Sequence, residues 1–329
     1  MSSIGIIGAG AWGLALASVA ERAGHDVIVW ARRPEPANEI NSKHALWSRL
    51  HGITFGKTVR ATNAPKDLGR CDAVLAVVPA QYLRGVLEQF TGLEAPVILC
   101  AKGIEAESGL LMNEVLAQCL PACPALILSG PSFALDVAHG LPTAVTLAGP
   151  DLRLAKQWAS ALSLKTFRIY PSDDLRGVAL GGAVKNVLAI ACGIAAGKDL
   201  GDSARAALTT RAFNELTRFG KALGGRPETL TGLSGLGDLL LTCSSKQSRN
   251  YSLGLALGQG KGLTQALAEA KGTVEGIATA NIVARLAVEQ NIEMPISAAV
   301  HAVVDGGSNP EEEIARLLAR PVNPEFHRG

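Results

Sequence analysis

A single lysine interrupts a long apolar stretch of this chain. Residues 178–196 read VALGGAVKNVLAIACGIAA, with Lys185 near the middle. At helical spacing its neighbours are Gly181, Gly182, Leu188 and Ala189, a small apolar face that another backbone or a ligand can approach closely. Burial of an ammonium lowers its pKa toward neutrality, which is what a general base requires. The competing interpretation is a lysine whose stem carries the charge out to water. Four other segments favour catalysis. TGLSGLGDLLL (231–241) places Asp238 after three glycines, at the start of a helix, where a carboxylate orients a partner or simply caps. Gln247-Ser248-Arg249-Asn250 sets a guanidinium between neutral hydrogen-bonding groups and suits a phosphate monoester; in isolation it would be an ordinary polar loop. Lys102 follows PVILC, and Gly130, Ser132 and Ala134 follow ALILS, so two strand ends offer polar groups to one crevice.

The first residues supply a nucleotide site. Ile4–Ile7 is a β-branched run, followed by Gly8-Ala-Gly10-Ala11-Trp12-Gly13 and a helical stretch. In such a GxGxxG turn the first glycine makes the bend, the second admits a pyrophosphate and the third lets helix pack on strand. The helix N-terminus then offers oriented N–H groups to the phosphates. After the second strand, DVIVW, the adenine ribose should be met by an acidic residue if NAD is preferred. Ala31, Arg32 and Arg33 stand there instead, so NADP, or use of both coenzymes with NADPH favoured, is expected.

These pieces must be held by alternating strands and helices. Short continuous apolar runs at 4–7, 26–30, 73–78, 96–100 and 125–129 have the character of parallel strands buried on both faces, and 143–147 and 166–170 extend the set. Beyond Pro171 the pattern becomes helical: 178–196, 204–223, 253–257, 263–270, 277–289, 296–304 and 311–318. The expected fold is α/β, a Rossmann-type doubly wound, mostly parallel sheet over 1–174 followed by an all-α domain over 175–329. A chain of 329 residues, 48% hydrophobic and 18% charged, has core enough for two such domains.

The bulk properties exclude several classes. Net charge is +2 with no long basic run, so a nucleic-acid partner is not expected. The N-terminal apolar run lacks a positive flank and is broken by glycines, so neither a signal peptide nor a membrane span is expected. Six cysteines without paired spacing point to free thiols in a reducing, cytoplasmic setting. No metal-ligand cluster is evident.

GAGAWG (8–13), AKGIE (101–105), SGPSFA (129–134), LPTAV (141–145), LGGAVKNVLAI (180–190), SARAALTTR (203–211), GLGDLLLTC (235–243), QSRN (247–250) and VEG (274–276) together resemble the bacterial NAD(P)-dependent glycerol-3-phosphate dehydrogenases, in the family's order and over nearly the whole chain. The resemblance implies a homodimeric oxidoreductase that interconverts sn-glycerol 3-phosphate and dihydroxyacetone phosphate and supplies phospholipid synthesis. It implies Lys185 as proton acceptor, supported by Lys102 and Asp238. Lys102, Gly130, Ser132, Lys185, Asp238, Ser248, Arg249 and Asn250 would meet the substrate. Trp12, Arg32, Lys102, Ala134, Arg249 and Glu275 would meet the cofactor, beside the glycine turn. One departure is Ser203, where the family more often has asparagine.

Overall fold

The computed structural model describes residues 1–322 and 324, apart from Lys271. Eight strands form one sheet in the order β3-β2-β1-β4-β5-β6-β7-β8. They are β1 (Ser3–Ile7), β2 (Asp26–Trp30), β3 (Val59–Thr62), β4 (Ala73–Ala76), β5 (Val97–Leu99), β6 (Ala125–Ser129), β7 (Thr143–Ala148) and β8 (Phe167–Ser172). The apolar runs are strands because both sheet faces are covered. Val27 and Val29 enter one core cluster, while Ile28 and Trp30 enter the cluster on the opposite face.

The strands pair in parallel except at β6 and β7, where Ser129 opposes Thr146 in an antiparallel ladder. Only a five-residue helix, Ala134–Ala138, lies between these strands, so the chain re-enters the sheet from the end at which it left. A parallel partner would need a longer crossover. Strand β3 is an addition to the expected set. Val59 and Ala61 are buried while Arg60 is exposed, so this short edge strand alternates rather than forming an apolar run.

The chain leaves β1 outward through β2 and β3, then returns to β4 on the other side of β1. A crevice opens at such a reversal, beyond the carboxyl ends of the strands. Gly8 sits there with φ +119, a left-handed-region angle, and a Cβ on it would lie 2.8 Å from the Val77 carbonyl oxygen.

From Leu175 onward the described residues form helices and loops. The core helix, Leu175–Gly197, is apolar on every side and buried almost throughout. Among the described residues it is the one helix long and apolar enough to cross a membrane, yet here it is wrapped by protein. The helix Arg249–Gly258 packs against it backbone to backbone. A Cβ on Gly193 would lie 2.2 Å from the Tyr251 carbonyl oxygen, and one on Gly254 would lie 2.1 Å from that of Ile190. This close fit fixes where Arg249 and Asn250 stand relative to Lys185.

Candidate active site

Lys185 is drawn into a fixed geometry by the loop that precedes Asp238. Gly181, one turn before Lys185, lets that loop touch the core helix: a Cβ there would lie 2.7 Å from the Ser234 carbonyl oxygen. Residues Leu233–Gly237 make a π-helical turn, and the helix Asp238–Ser244 follows directly. π-turns are rare and recur at functional sites. This one places the Asp238 carboxylate over the core helix, 1% exposed.

Lys185 Nζ donates to Asp238 Oδ1 at 2.6 Å and to Thr242 Oγ1 at 2.9 Å. Thr242 Oγ1 in turn donates to the Asp238 carbonyl oxygen at 2.6 Å, so its lone pair faces the lysine. Lys102 reaches across from the segment after β5. Its Nζ donates to Asp238 Oδ2 at 2.7 Å and to the Gly130 carbonyl oxygen at 3.1 Å. One carboxylate therefore binds two ammonium groups, one from each half of the chain. Each lysine has three N–H groups and uses two, leaving one for a reacting oxygen.

The electrostatics follow from this geometry. Burial pushes Lys185 down to about 8; the Asp238 charge opposes that shift and the neighbouring Lys102 charge adds to it. Burial alone would raise Asp238, but the two ammonium groups outweigh it and hold the carboxyl below its ordinary range. Lys185 is thus poised to exchange a proton near neutral pH, beside a group that stays ionised.

A second chain of hydrogen bonds runs alongside. Asn250 Nδ2 donates to Asn186 Oδ1 at 3.0 Å, and Asn250 Oδ1 accepts from the Gly276 N–H at 2.9 Å. Glu275 Oε1 accepts from the Ala80 N–H at 2.9 Å, tying the helical part to the segment after β4. Burial raises the Glu275 carboxyl, against the pull of Arg249, Lys185 and Lys102. Two buried hydroxyls, Ser129 Oγ and Ser234 Oγ, have no hydrogen-bond partner among the described residues. Ser129 Oγ would lie 2.8 Å from a Cβ on Gly182.

Residues 3–155 match the family described as NAD-dependent glycerol-3-phosphate dehydrogenase N-terminus, and residues 174–315 match its C-terminus. The chain belongs to the NAD-dependent glycerol-3-phosphate dehydrogenase family. A relative from Parvibaculum lavamentivorans named glycerol-3-phosphate dehydrogenase (NAD(P)+) is 53% identical over 325 residues, covering 98% of each chain. One of the same name from Hyphomonas neptunium is 52% identical over 326 residues, covering 98% of this chain and 97% of its own. The crystal structure of glycerol-3-phosphate dehydrogenase from Coxiella burnetii superposes with a TM-score of 0.92 at 38% identity, covering 97% of this chain and 99% of its own.

The residues singled out in this dehydrogenase-family sequence lie in several places. Lys102, Gly130, Lys185 and Asp238 meet directly. Gly8 and Gly10 lie in the turn at the crevice, where a Cβ on Gly10 would meet nothing within 4 Å, and Ala11, Trp12 and Gly13 open the helix Ala11–Arg22 that follows. The segment 247–250 is not a polar loop. Ser248 caps the helix Arg249–Gly258 by accepting the Tyr251 N–H at 3.2 Å, which puts Arg249 and Asn250 in its first turn. Arg249 is exposed there, whereas Asn250 is buried. Ser132 Oγ donates to the Gly130 carbonyl oxygen at 3.0 Å, and Ala134 begins the next helix. Arg32 and Arg33 are exposed beyond β2; Arg33 stands 3.9 Å from the Glu35 carboxylate.

Sequence reasoning missed Thr242 and Asn186. Both were marked in the pattern: Thr242 lies four residues after Asp238, one helical turn on the same face, and Asn186 is the other polar residue in the middle of the apolar helix.

Proposed function

We propose that this chain interconverts sn-glycerol 3-phosphate and dihydroxyacetone phosphate with NAD(P). The observation that carries this reading is Lys185: buried, about 8 in pKa, fixed between Asp238 and Thr242. In the oxidative direction its neutral amine takes the proton of the substrate C2 hydroxyl. In the reductive direction its ammonium gives that proton back. Lys102 holds a second positive charge near the same oxygen as negative charge develops there, in a dry site where such charge is most effective. Asp238 keeps both lysines in place and stays ionised. Arg249 binds the substrate phosphate with parallel N–H donors, and Asn250 and Ser248 stand at the same helix N-terminus, which favours an anion.

The residues of the crevice fit a dinucleotide. Gly8 bends where a side chain would strike Val77, and Gly10 leaves open space for a pyrophosphate. Bound there, the nicotinamide supplies or accepts the hydride at substrate C2. Trp12, Ala134 and Glu275 would line the same crevice, and Arg32, with Arg33 beside it, would offer a cation to a 2′-phosphate, which favours NADPH. In this reading residues 1–174 bind the dinucleotide and 175–329 bind substrate. The enzyme works in the cytoplasm as a homodimer and feeds phospholipid synthesis. The test is a spectrophotometric assay with NADH and NADPH, each with and without dihydroxyacetone phosphate. Oxidation of either coenzyme only in its presence supports the proposal; none with both coenzymes refutes it.

A further inference from the structure

The loop that carries Lys102 is gripped from outside by one amide side chain. Strand β5 ends at Leu99 and the next helix begins at Met112, so Lys102 stands on an excursion between them. The excursion folds back on itself: Ile104 and Leu111 form an antiparallel bridge, and the Glu105 N–H donates to the Leu110 carbonyl oxygen at 2.9 Å. These bonds lie within the loop. Its anchorage comes from the short helical turn Ala80–Tyr82 after β4. Gln81 Nε2 donates to the Ile104 carbonyl oxygen at 2.7 Å, and Gln81 Oε1 accepts the Ala106 N–H at 2.9 Å. A carbonyl and the N–H two residues on are the pair that a neighbouring parallel strand would take up. Here a single planar amide, with a donor and an acceptor on one head, takes up both.

The neighbours of Gln81 complete the grip. Arg84 Nε and Nη2 donate to the two carboxylate oxygens of Glu105 at 2.9 and 2.8 Å, and Ser108 Oγ adds a bond of 2.5 Å. Ala80 presses on the residue beside Lys102: a Cβ on Gly103 would lie 2.7 Å from the Ala80 Cβ. Gly103, Ile104, Glu105 and Ala106 are thus each met by Ala80, Gln81 or Arg84. Lys102 itself is tied chiefly at its tip, where Nζ meets Asp238 Oδ2 and the Gly130 carbonyl oxygen. Its own carbonyl oxygen accepts a long bond of 3.4 Å from Asn186 Nδ2.

We infer that Gln81 is a positioning residue for the reaction: by bracketing Ile104 and Ala106 it sets the backbone from which the Lys102 ammonium reaches Asp238 and Gly130. The residue between bracket and lysine is Gly103, whose backbone is the freest to turn. Without the bracket the loop can drift, and the Lys102 charge drifts with it from the oxygen on which negative charge develops. A misplacement of about 1 Å can cost on the order of a hundredfold in rate. Arg84 cannot substitute, because it holds the Glu105 side chain and leaves the two backbone groups unmet.

The inference rests on the role proposed for Lys102, and the experiment separates the two. Gln81→Met keeps the length of the side chain and removes both hydrogen bonds. Gln81→Glu keeps the acceptor for Ala106 and loses the donor to Ile104. Both are assayed for NADPH-dependent reduction of dihydroxyacetone phosphate across pH, and amide exchange at Ala106 is followed by mass spectrometry. For Gln81→Met the expected result is about a tenfold or greater loss of kcat, with the NADPH dissociation constant held within about twofold. Exchange at Ala106 should quicken. The inflection at about 8 should move upward, because a displaced Lys102 no longer helps to push Lys185 down. Asp238, Cys243 and Glu275, the other ionisable groups that act on Lys185 or feel its charge, are not altered by either substitution. Gln81→Glu should lower kcat in the same way. A general loss of folding would instead weaken NADPH binding and leave the inflection where it was. The inference is overturned if both variants keep kcat within about twofold of the wild type, if the loss lies in coenzyme binding alone, or if the inflection or the Ala106 exchange stays unchanged. Wild-type enzyme that never reduces dihydroxyacetone phosphate would sink the proposed substrate, while Ala106 exchange would still report whether Gln81 holds the loop.

Discussion

Lys185 and Asp238 are separated by 53 residues in sequence and 2.6 Å in space. The pair joins the core helix to the short helix after the π-turn, and Lys102 closes it from the sheet at 2.7 Å. Removing the Lys185 amine should remove the proton donor and acceptor without touching the dinucleotide turn at Gly8–Gly13. Lys185→Ala is expected to lower kcat by roughly 100- to 10,000-fold, the range for general acid–base groups. The NADPH dissociation constant, measured by fluorescence titration, should change little. A variant that keeps most of its kcat would exclude Lys185 from the chemistry.

The direction of the pH dependence follows from the same group. Lys185 has been pushed down to about 8, chiefly by burial. Reduction needs its ammonium, so kcat/KM for dihydroxyacetone phosphate should fall as pH rises through about 8. Oxidation needs its neutral amine, so kcat/KM for glycerol 3-phosphate should rise over the same interval. Asp238 holds the lysine up, so Asp238→Asn should move both inflections to lower pH. Profiles in the two directions that rise and fall together would contradict this assignment.

The residues around the glycine turn were legible because their context was local: a β-branched strand, a bend that only glycine tolerates, and a helix start. Lys185 was legible because a charge in a wholly apolar helix needs a reason. Its bonding partners were harder to see. Asp238 was noticed, but nothing in the spacing shows that one carboxylate serves two lysines, since Lys102 arrives from a strand end 136 residues earlier. Asn186 and Thr242 passed unremarked because single amides and hydroxyls in helices are ordinary. Only the packing of the Ser234–Gly235 backbone on Gly181 gives Thr242 its role. The edge strand β3 was invisible for a different reason: four alternating residues carry too little pattern to stand out from a loop. The antiparallel β7 likewise depends on how short the excursion after Ser129 is, a tertiary property.

The coenzyme prediction concerns the end of β2. Arg32 is exposed one residue beyond Ala31, where an acidic group would bind a ribose 2′-hydroxyl. NADPH should be used at least as well as NADH. Arg32→Asp should raise KM for NADPH by about tenfold or more, the loss of one charge-assisted contact, and improve NADH use. The ratio of kcat/KM values for the two coenzymes is the measurement. Wild-type enzyme that rejects NADPH outright would show that Arg32 does not read the 2′-phosphate.

The substrate phosphate is the feature that separates this activity from reduction of an unphosphorylated hydroxy acid. Arg249 is exposed in the first turn of the helix Arg249–Gly258, and that helix is pressed onto the core helix at Gly193 and Gly254. Its guanidinium can give two parallel hydrogen bonds to a phosphate, a geometry lysine cannot copy. Each bond to a charged group contributes roughly 1.5–3 kcal/mol. Arg249→Ala should therefore lower kcat/KM for dihydroxyacetone phosphate by about tenfold to a hundredfold or more. The loss on unphosphorylated dihydroxyacetone should be much smaller, and Arg249→Lys should recover only part of the activity. Arg249 also stands near enough to Glu275 for its charge to oppose the burial that raises that carboxyl, so a change at Arg249 can reach Glu275. Coenzyme dissociation constants must accordingly be measured for each variant. Equal proportional losses on both substrates, with coenzyme binding unchanged, would show that Arg249 does not hold the phosphate.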